Sequence, residues 1–243
     1  MRTLGLIGGM SWESTTHYYQ LLNRLVRDRT GPMHSAELVL WSVDFGPIAA
    51  MQAAGDWAGA AAAMVEAAQR VEGAGARALL ICANTMHRMA DEVQAAISIP
   101  LIHVADATAA AIRAAGVQRP LLLATRYTME QDFYRGRLAR HGVEALIPGE
   151  ADRLELHRII FDELVQGELS PSSKAAMLAM IDEARRERSV DGVILGCTEF
   201  GLLIKPEDLE LPAFDTAAIH AEAGVAFSLA GQEAGGAHAT TRL

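Results

Sequence analysis

Residues 196–199, Gly-Cys-Thr-Glu, put a thiol, a hydroxyl and a carboxyl on three successive residues directly after the apolar run Val193 to Leu195. An apolar run ending in polar groups is the pattern of a buried strand that delivers them into a crevice at its carboxyl end. A thiol there sits at a strand-to-helix turn, where the helix terminus favours the thiolate, and a thiolate can take up a proton or return one. A second stretch has the same shape: Ala78-Leu79-Leu80-Ile81-Cys82-Ala83-Asn84-Thr85. Each is followed by an apolar-Pro-apolar segment, Ile99-Pro100-Leu101 or Leu211-Pro212-Ala213, and then by an Asp-led, Ala-rich helical pattern. Two related halves, their strand ends facing, would bring both polar clusters to one cleft.

Superposing the halves exposes an asymmetry. Matching Leu79-Leu80-Ile81 to Val193-Ile194-Leu195 sets Cys82 against Gly196 and Ala83 against Cys197. Neighbouring side chains on a strand point to opposite faces. Cys82 is therefore expected to point away from the side on which Cys197 has its counterpart, as a small buried hydrophobe.

The elements that position these groups alternate along the chain. Residues 3–9 read as a buried strand ending in glycines, and Ser11 to Leu25 as a helix. Gly8-Gly9-Met10-Ser11 is either a tight turn or a turn whose amides bind a carboxylate. Strands are expected at 37–43, 77–82, 99–104, 119–125, 143–147, 191–197 and 212–214. Helices are expected at 57–72, 86–96, 106–115, 151–165, 171–188 and 216–229. Thr128-x-x-Gln131 reads as a capping box for a helix through His141. Asp106 and Asp215 read as N-caps, and His103 as a core histidine. The alternation argues for an α/β fold of two pseudo-symmetric, doubly wound lobes with parallel sheets and a cleft between them. The first lobe is expected to span 1–104 plus 215–231 and the second 105–214, with a disordered tail at 232–243.

Composition narrows the function. In 243 residues, 51% are hydrophobic and 21% charged, enough for a sizeable core. Thirty acidic against 21 basic residues give a net charge of −9 without a basic stripe, which argues against nucleic acid and for a small-molecule partner. Two cysteines without a Cys-x-x-Cys pair match neither a disulfide framework nor a zinc site, so a reducing, cytoplasmic setting and no metal are expected. No apolar run reaches membrane-spanning length.

The stretches Gly5-Leu6-Ile7-Gly8-Gly9-Met10-Ser11, Asn84-Thr85-Met86-His87 and Gly196-Cys197-Thr198-Glu199 together resemble the aspartate/glutamate racemase superfamily, in their order, spacing and placement at strand ends. The resemblance covers about residues 1–230. It implies a homodimeric, cofactor-independent racemase of amino acids, in which one thiolate removes the α-proton and a second thiol protonates the opposite face. Family alignment on Asn84-Thr85 puts the first of those thiols at position 83, which here is Ala83. Cys197 is thus the expected acid/base, with Cys82 and Thr85 as candidates for the opposite face. The resemblance further implies that Met10, Ser11, Gln52, Ala83, Asn84, Thr85, Thr198 and Glu199 meet the substrate. Glu199 can tune the thiol, bind an ammonium or form a salt bridge, and His87 can orient a cleft group or simply pack. Members acting on aspartate hold its side-chain carboxylate with cations, whereas Phe45 to Gly55 holds no Lys or Arg and position 165 is Val. Neutral or small polar amino acids are therefore expected over aspartate, with Arg126 the one nearby cation that would reverse this. The alternatives are a one-cysteine decarboxylase or lyase of the same superfamily, and a non-catalytic amino-acid-binding protein.

Overall fold

The computed structural model describes residues 1–230. The tail expected at 232–243 lies outside the described residues. In chain order, strand β1 (Leu4–Gly8) leads into helix α1 (Trp12–Thr30), β2 (Leu38–Ser42), α2 (Phe45–Ala54), α3 (Trp57–Gly73), β3 (Ala78–Ile81), α4 (Ala90–Ala96) and α5 (Val104–Ala114). There follow β4 (Pro120–Leu123), α6 (Arg126–Glu130), α7 (Asp132–Arg140), α8 (Glu150–Arg158), α9 (Pro171–Arg188), β5 (Gly192–Leu195), α10 (Phe200–Leu203), β6 (Ala213–Asp215) and α11 (Thr216–Leu229). The fold is α/β and two-lobed, each lobe built on a parallel three-stranded sheet.

The first sheet has the order β2-β1-β3, with Leu6 opposite Leu40 and Leu80. The second has the order β4-β5-β6, with Ile194 opposite Leu122 and Phe214. β1, β3, β4 and β5 are buried along their whole length, as continuous apolar strands covered on both faces must be. Period-two alternation divides the first lobe's core. Leu4, Leu6, Leu80 and Cys82 face α1 and α11, while Ile7, Leu79, Ile81 and Ala83 face the layer of α3.

Several local expectations need correction. The strands read at 99–104 and 143–147 shrink to single bridges, Leu79 to Leu101 and Leu121 to Leu146. Pro100 has no N–H to give a ladder, and His103 already caps the next helix. It is His103, not Asp106, that accepts the Ala105 amide at the start of α5; Asp106 instead binds Arg137 and His141. Asp215 does cap α11, accepting from the amides of Ala217 and Ala218. The capping box at Thr128 does not form. Thr125 caps α6 instead, through the Thr128 amide, and Gln131 starts α7 without a side-chain cap. The helix read at 151–165 changes pitch, with α8 passing into a π-helical turn at Ile159–Glu163 and a 3₁₀ turn at Leu164–Gln166.

α5 and α11 pack together, and three histidines, His87, His103 and His220, are buried where they meet the turn after β3. The Ile102 carbonyl can only accept, so His220 Nε2 carries the proton at 2.6 Å and Nδ1 accepts from the Tyr18 hydroxyl at 2.9 Å. By the same reasoning His87 Nδ1 donates to the Ala83 carbonyl, and Nε2 accepts from the Val104 amide. Burial keeps all three neutral, pushing His103 down to about 3, His220 down to about 4 and His87 well below its ordinary value. The unfolded chain takes up these protons near pH 6.5 and the folded one does not. Stability is therefore full above pH 6.5 and is expected to fall toward pH 4 by up to about 1.4 kcal/mol per pH unit per histidine. Denaturant titrations at pH 7.5 and 5 check this: equal midpoints would contradict it.

Candidate active site

The carboxyl ends of the two sheets face each other across a cleft enclosing about 440 Å³, part of it open to solvent. Met10, Phe45, Gln52, Ala83, Asn84, Thr85 and Met86 line it from one side. Thr125, Ile160, Phe161, Val165, Gly196, Cys197, Thr198 and Glu199 line it from the other. Of the residues singled out from sequence, Met10, Gln52, Ala83, Asn84, Thr85, Val165, Cys197, Thr198 and Glu199 are on these walls, and Ser11, Cys82, His87 and Arg126 are not. Ser11 caps α1 and reaches the site through one contact, its hydroxyl donating to Glu199 Oε1 at 2.6 Å.

Glu199 is 2% exposed, and its partners are all neutral. Besides Ser11, the Thr198 hydroxyl donates to Oε2 at 2.8 Å and the Cys197 thiol to the same oxygen at 3.0 Å. Burial, and then the Glu199 charge and its hydrogen bond, hold the Cys197 thiol well above its ordinary range. The amides of Thr198 and Glu199 face the sulfur and act the opposite way, favouring the thiolate. The resting cysteine is thus a thiol whose proton already lies on the path to a carboxylate.

On the opposite wall, Thr216 fixes the side-chain orientation of Asn84. The Thr216 hydroxyl gives its only proton to the Leu195 carbonyl at 2.8 Å, so it can only accept from Asn84 Nδ2, at 3.0 Å. Asn84 Oδ1 is left buried, without a partner, on a residue that lines the cleft. A buried acceptor without a donor is costly, and a ligand ammonium would satisfy it. Below it, the hydroxyls of Thr85, Thr125 and Thr128 are mutually hydrogen-bonded at 2.9 to 3.2 Å across the lobes.

Cys82 lies elsewhere. It is fully buried among Leu4, Leu6, Tyr18, Leu22, Ala217 and Ala221, and burial pushes its thiol pKa up. Ala83, on the opposite face of the strand end, lines the cleft instead. His87 does not line the cleft but pins the Ala83 carbonyl to the start of α5. Arg126 is exposed and bonded to Glu130 at 3.1 and 3.2 Å, outside the cleft walls. Among the described residues, no group of three or more His, Cys, Asp or Glu side chains could hold a metal ion, and no helix is long and apolar enough to cross a membrane.

Sequence reasoning missed Phe45, Thr125, Ile160 and Phe161. Thr125 carried a usable signal, because Leu121-Leu122-Leu123-Ala124-Thr125 repeats the shape of an apolar strand ending in a small residue and a hydroxyl. Ile160 and Phe161 carried none, since an ordinary helical pattern runs through them and the π turn decides which way they face.

A match to the Asp/Glu/hydantoin racemase family runs from residue 7 to residue 224. The chain belongs to this family. It is accordingly an isomerase acting on amino acids. Among similar solved structures, an Asp/Glu racemase candidate from Yersinia pestis is 47% identical with a TM-score of 0.86, covering 94% of this chain and 100% of that one. An aspartate racemase homologue from Pyrococcus horikoshii is 36% identical with a TM-score of 0.82, covering 94% and 99%. The broad-specificity amino-acid racemase of Bacillus subtilis is 23% identical over 172 residues, 70% of this chain and 73% of that protein. For this racemase-family chain, the two strand-end clusters that face one cleft are therefore the candidate catalytic walls.

Proposed function

We propose that the chain is a cofactor-independent amino-acid racemase in which Cys197 is the principal acid/base and works from one side of the substrate. The observation that carries this reading is the Cys197 thiol in the cleft, bonded to Glu199 at 3.0 Å, with no second thiol among the residues of the other wall. A substrate ammonium docks between Asn84 Oδ1 and Glu199. The Cys197 thiol passes its proton to Glu199 along their 3.0 Å hydrogen bond, and the positive charge of the ammonium stabilises the thiolate left behind. The thiolate then takes the α-proton, and the carbon keeps the electron pair, spread into the substrate carboxylate. Amides at Asn84-Thr85 and Thr198-Glu199 stabilise that developing charge.

The thiol can return its proton only to the face it came from. Inversion needs a proton on the other face, where Ala83 offers none and the Thr85 hydroxyl is a poor acid already tied to Thr125 and Thr128. Water beside Ala83 supplies it, and the hydroxide left behind is neutralised by the proton held on Glu199, which restores the resting thiol and carboxylate. A decarboxylase working by the same single thiol is the second reading, favoured by the space that Ala83 leaves on that wall.

The test is α-proton exchange in heavy water, followed by NMR over a panel of amino acids. Wild type is expected to exchange at least one of them, and Cys82→Ala to retain that rate within about twofold, because Cys82 packs in the core. Exchange lost in Cys82→Ala without loss of folding would overturn the one-sided reading. Carbon dioxide release from a disubstituted malonate, with no exchange of any amino acid, would replace it with the second.

A further inference from the structure

The cleft's charged and hydroxyl groups come from the strand-end turns, but its remaining wall comes from two segments outside the sheets. Phe45 opens α2, and Ile160, Phe161 and Val165 belong to the π and 3₁₀ turns after α8. The Phe45 and Phe161 rings stack across the lobes, centroids 6.4 Å apart and planes 21° apart, so the two segments form one apolar surface. The π turn is held in place. Glu163 accepts from Ser173 at 2.5 Å and pairs with Arg158 at 2.9 Å, and Arg158 also binds Glu155, which commits the cation nearest to that turn.

None of the described residues lining the cleft is Lys, Arg or His. The buried Glu199 takes its hydrogen bonds from neutral donors alone, and Glu13, beside Gly167 at the end of the 3₁₀ turn, has a buried carboxyl oxygen with no partner. Among the described residues, no Lys or Arg pairs with either carboxylate. A zwitterionic amino acid brings no net charge to the cleft. A second carboxylate would add one negative charge to a cleft that already holds Glu199, with no cation on its walls and an apolar surface at Phe45, Phe161 and Val165 to receive it.

We propose that the preferred substrates are amino acids with aliphatic side chains, of the methionine or leucine kind, whose side chain lies against Phe45, Phe161 and Val165. This rests on the racemase reading above for its chemistry, though not for its binding. In the exchange assay, leucine and methionine are expected to exceed aspartate and glutamate in kcat/KM by at least about tenfold, with the difference mainly in KM. Val165→Lys is expected to reverse the order, lowering leucine turnover and raising glutamate turnover.

A binding measurement separates failure of this inference from failure of the racemase reading. Leucine and methionine are expected to raise the melting temperature of wild type at concentrations where aspartate and glutamate do not. No exchange of any amino acid together with that pattern of stabilisation sinks the racemase reading and upholds the side-chain assignment. Aspartate or glutamate matching or exceeding leucine in either measurement overturns the assignment, as does the absence of any effect of leucine and methionine in both.

Discussion

Cys197→Ser is expected to lower α-proton exchange by roughly 10³-fold or more, the worth of a positioned general base. The substitution isolates acidity from geometry. A serine hydroxyl can still donate to Glu199 Oε2, where the thiol now does so at 3.0 Å, and it occupies nearly the same space in a site only 7% exposed. What changes is the readiness of the group to lose its proton, since an alkoxide is far harder to form than a thiolate. Folding stability is expected to stay within about 1 kcal/mol. An exchange rate within tenfold of wild type would move the chemistry to Glu199 or to water and remove Cys197 from the mechanism.

Ala83→Cys is expected to change the character of the reaction more than its rate. Position 83 is the counterpart of position 197 in the internal repeat, and Ala83 is among the residues of the opposite wall. A thiol there supplies the missing proton donor, so inversion should rise by about 100-fold or more, the low end of what a general acid contributes. Exchange on the Cys197 side should change much less. Deuterium exchange and polarimetry on one sample separate these rates. An Ala83→Cys variant that exchanges as wild type does and inverts no faster would mean that the wall at 83 does not face the substrate's far side.

Much of this was legible in the residues. The apolar run closing on Gly196-Cys197-Thr198-Glu199 reads as a buried strand ending at a crevice. The parity between Cys82 and Ala83 follows from strand geometry alone, and in the structure Cys82 packs against α1 and α11 while Ala83 meets the cleft. Long-range pairings were not legible. Ser11 and Glu199 are 188 positions apart, and nothing in either neighbourhood announces that a helix cap will also donate to a carboxylate in the other lobe. The Thr85, Thr125 and Thr128 hydroxyls meet only because the lobes close. Helix α2 was hidden because Gly46-Pro47 reads as a turn, although Asp44 and Gly55 are a serviceable cap at each end. The π turn that aims Phe161 at Phe45 has no periodic signature, and Asp106 lost its capping role to a histidine three residues earlier.

The claim beneath all of these is that one sulfur, on one side, handles the α-proton. Its most direct test is the ratio of α-deuterium incorporation to inversion for a single enantiomer in heavy water, measured at early times on wild type. A lone thiol returns solvent deuterium to the face it deprotonated, so exchange should outrun inversion several-fold with configuration retained. If every incorporated deuterium arrives with inversion, two groups share the work from opposite faces, and the account given of Ala83 is wrong.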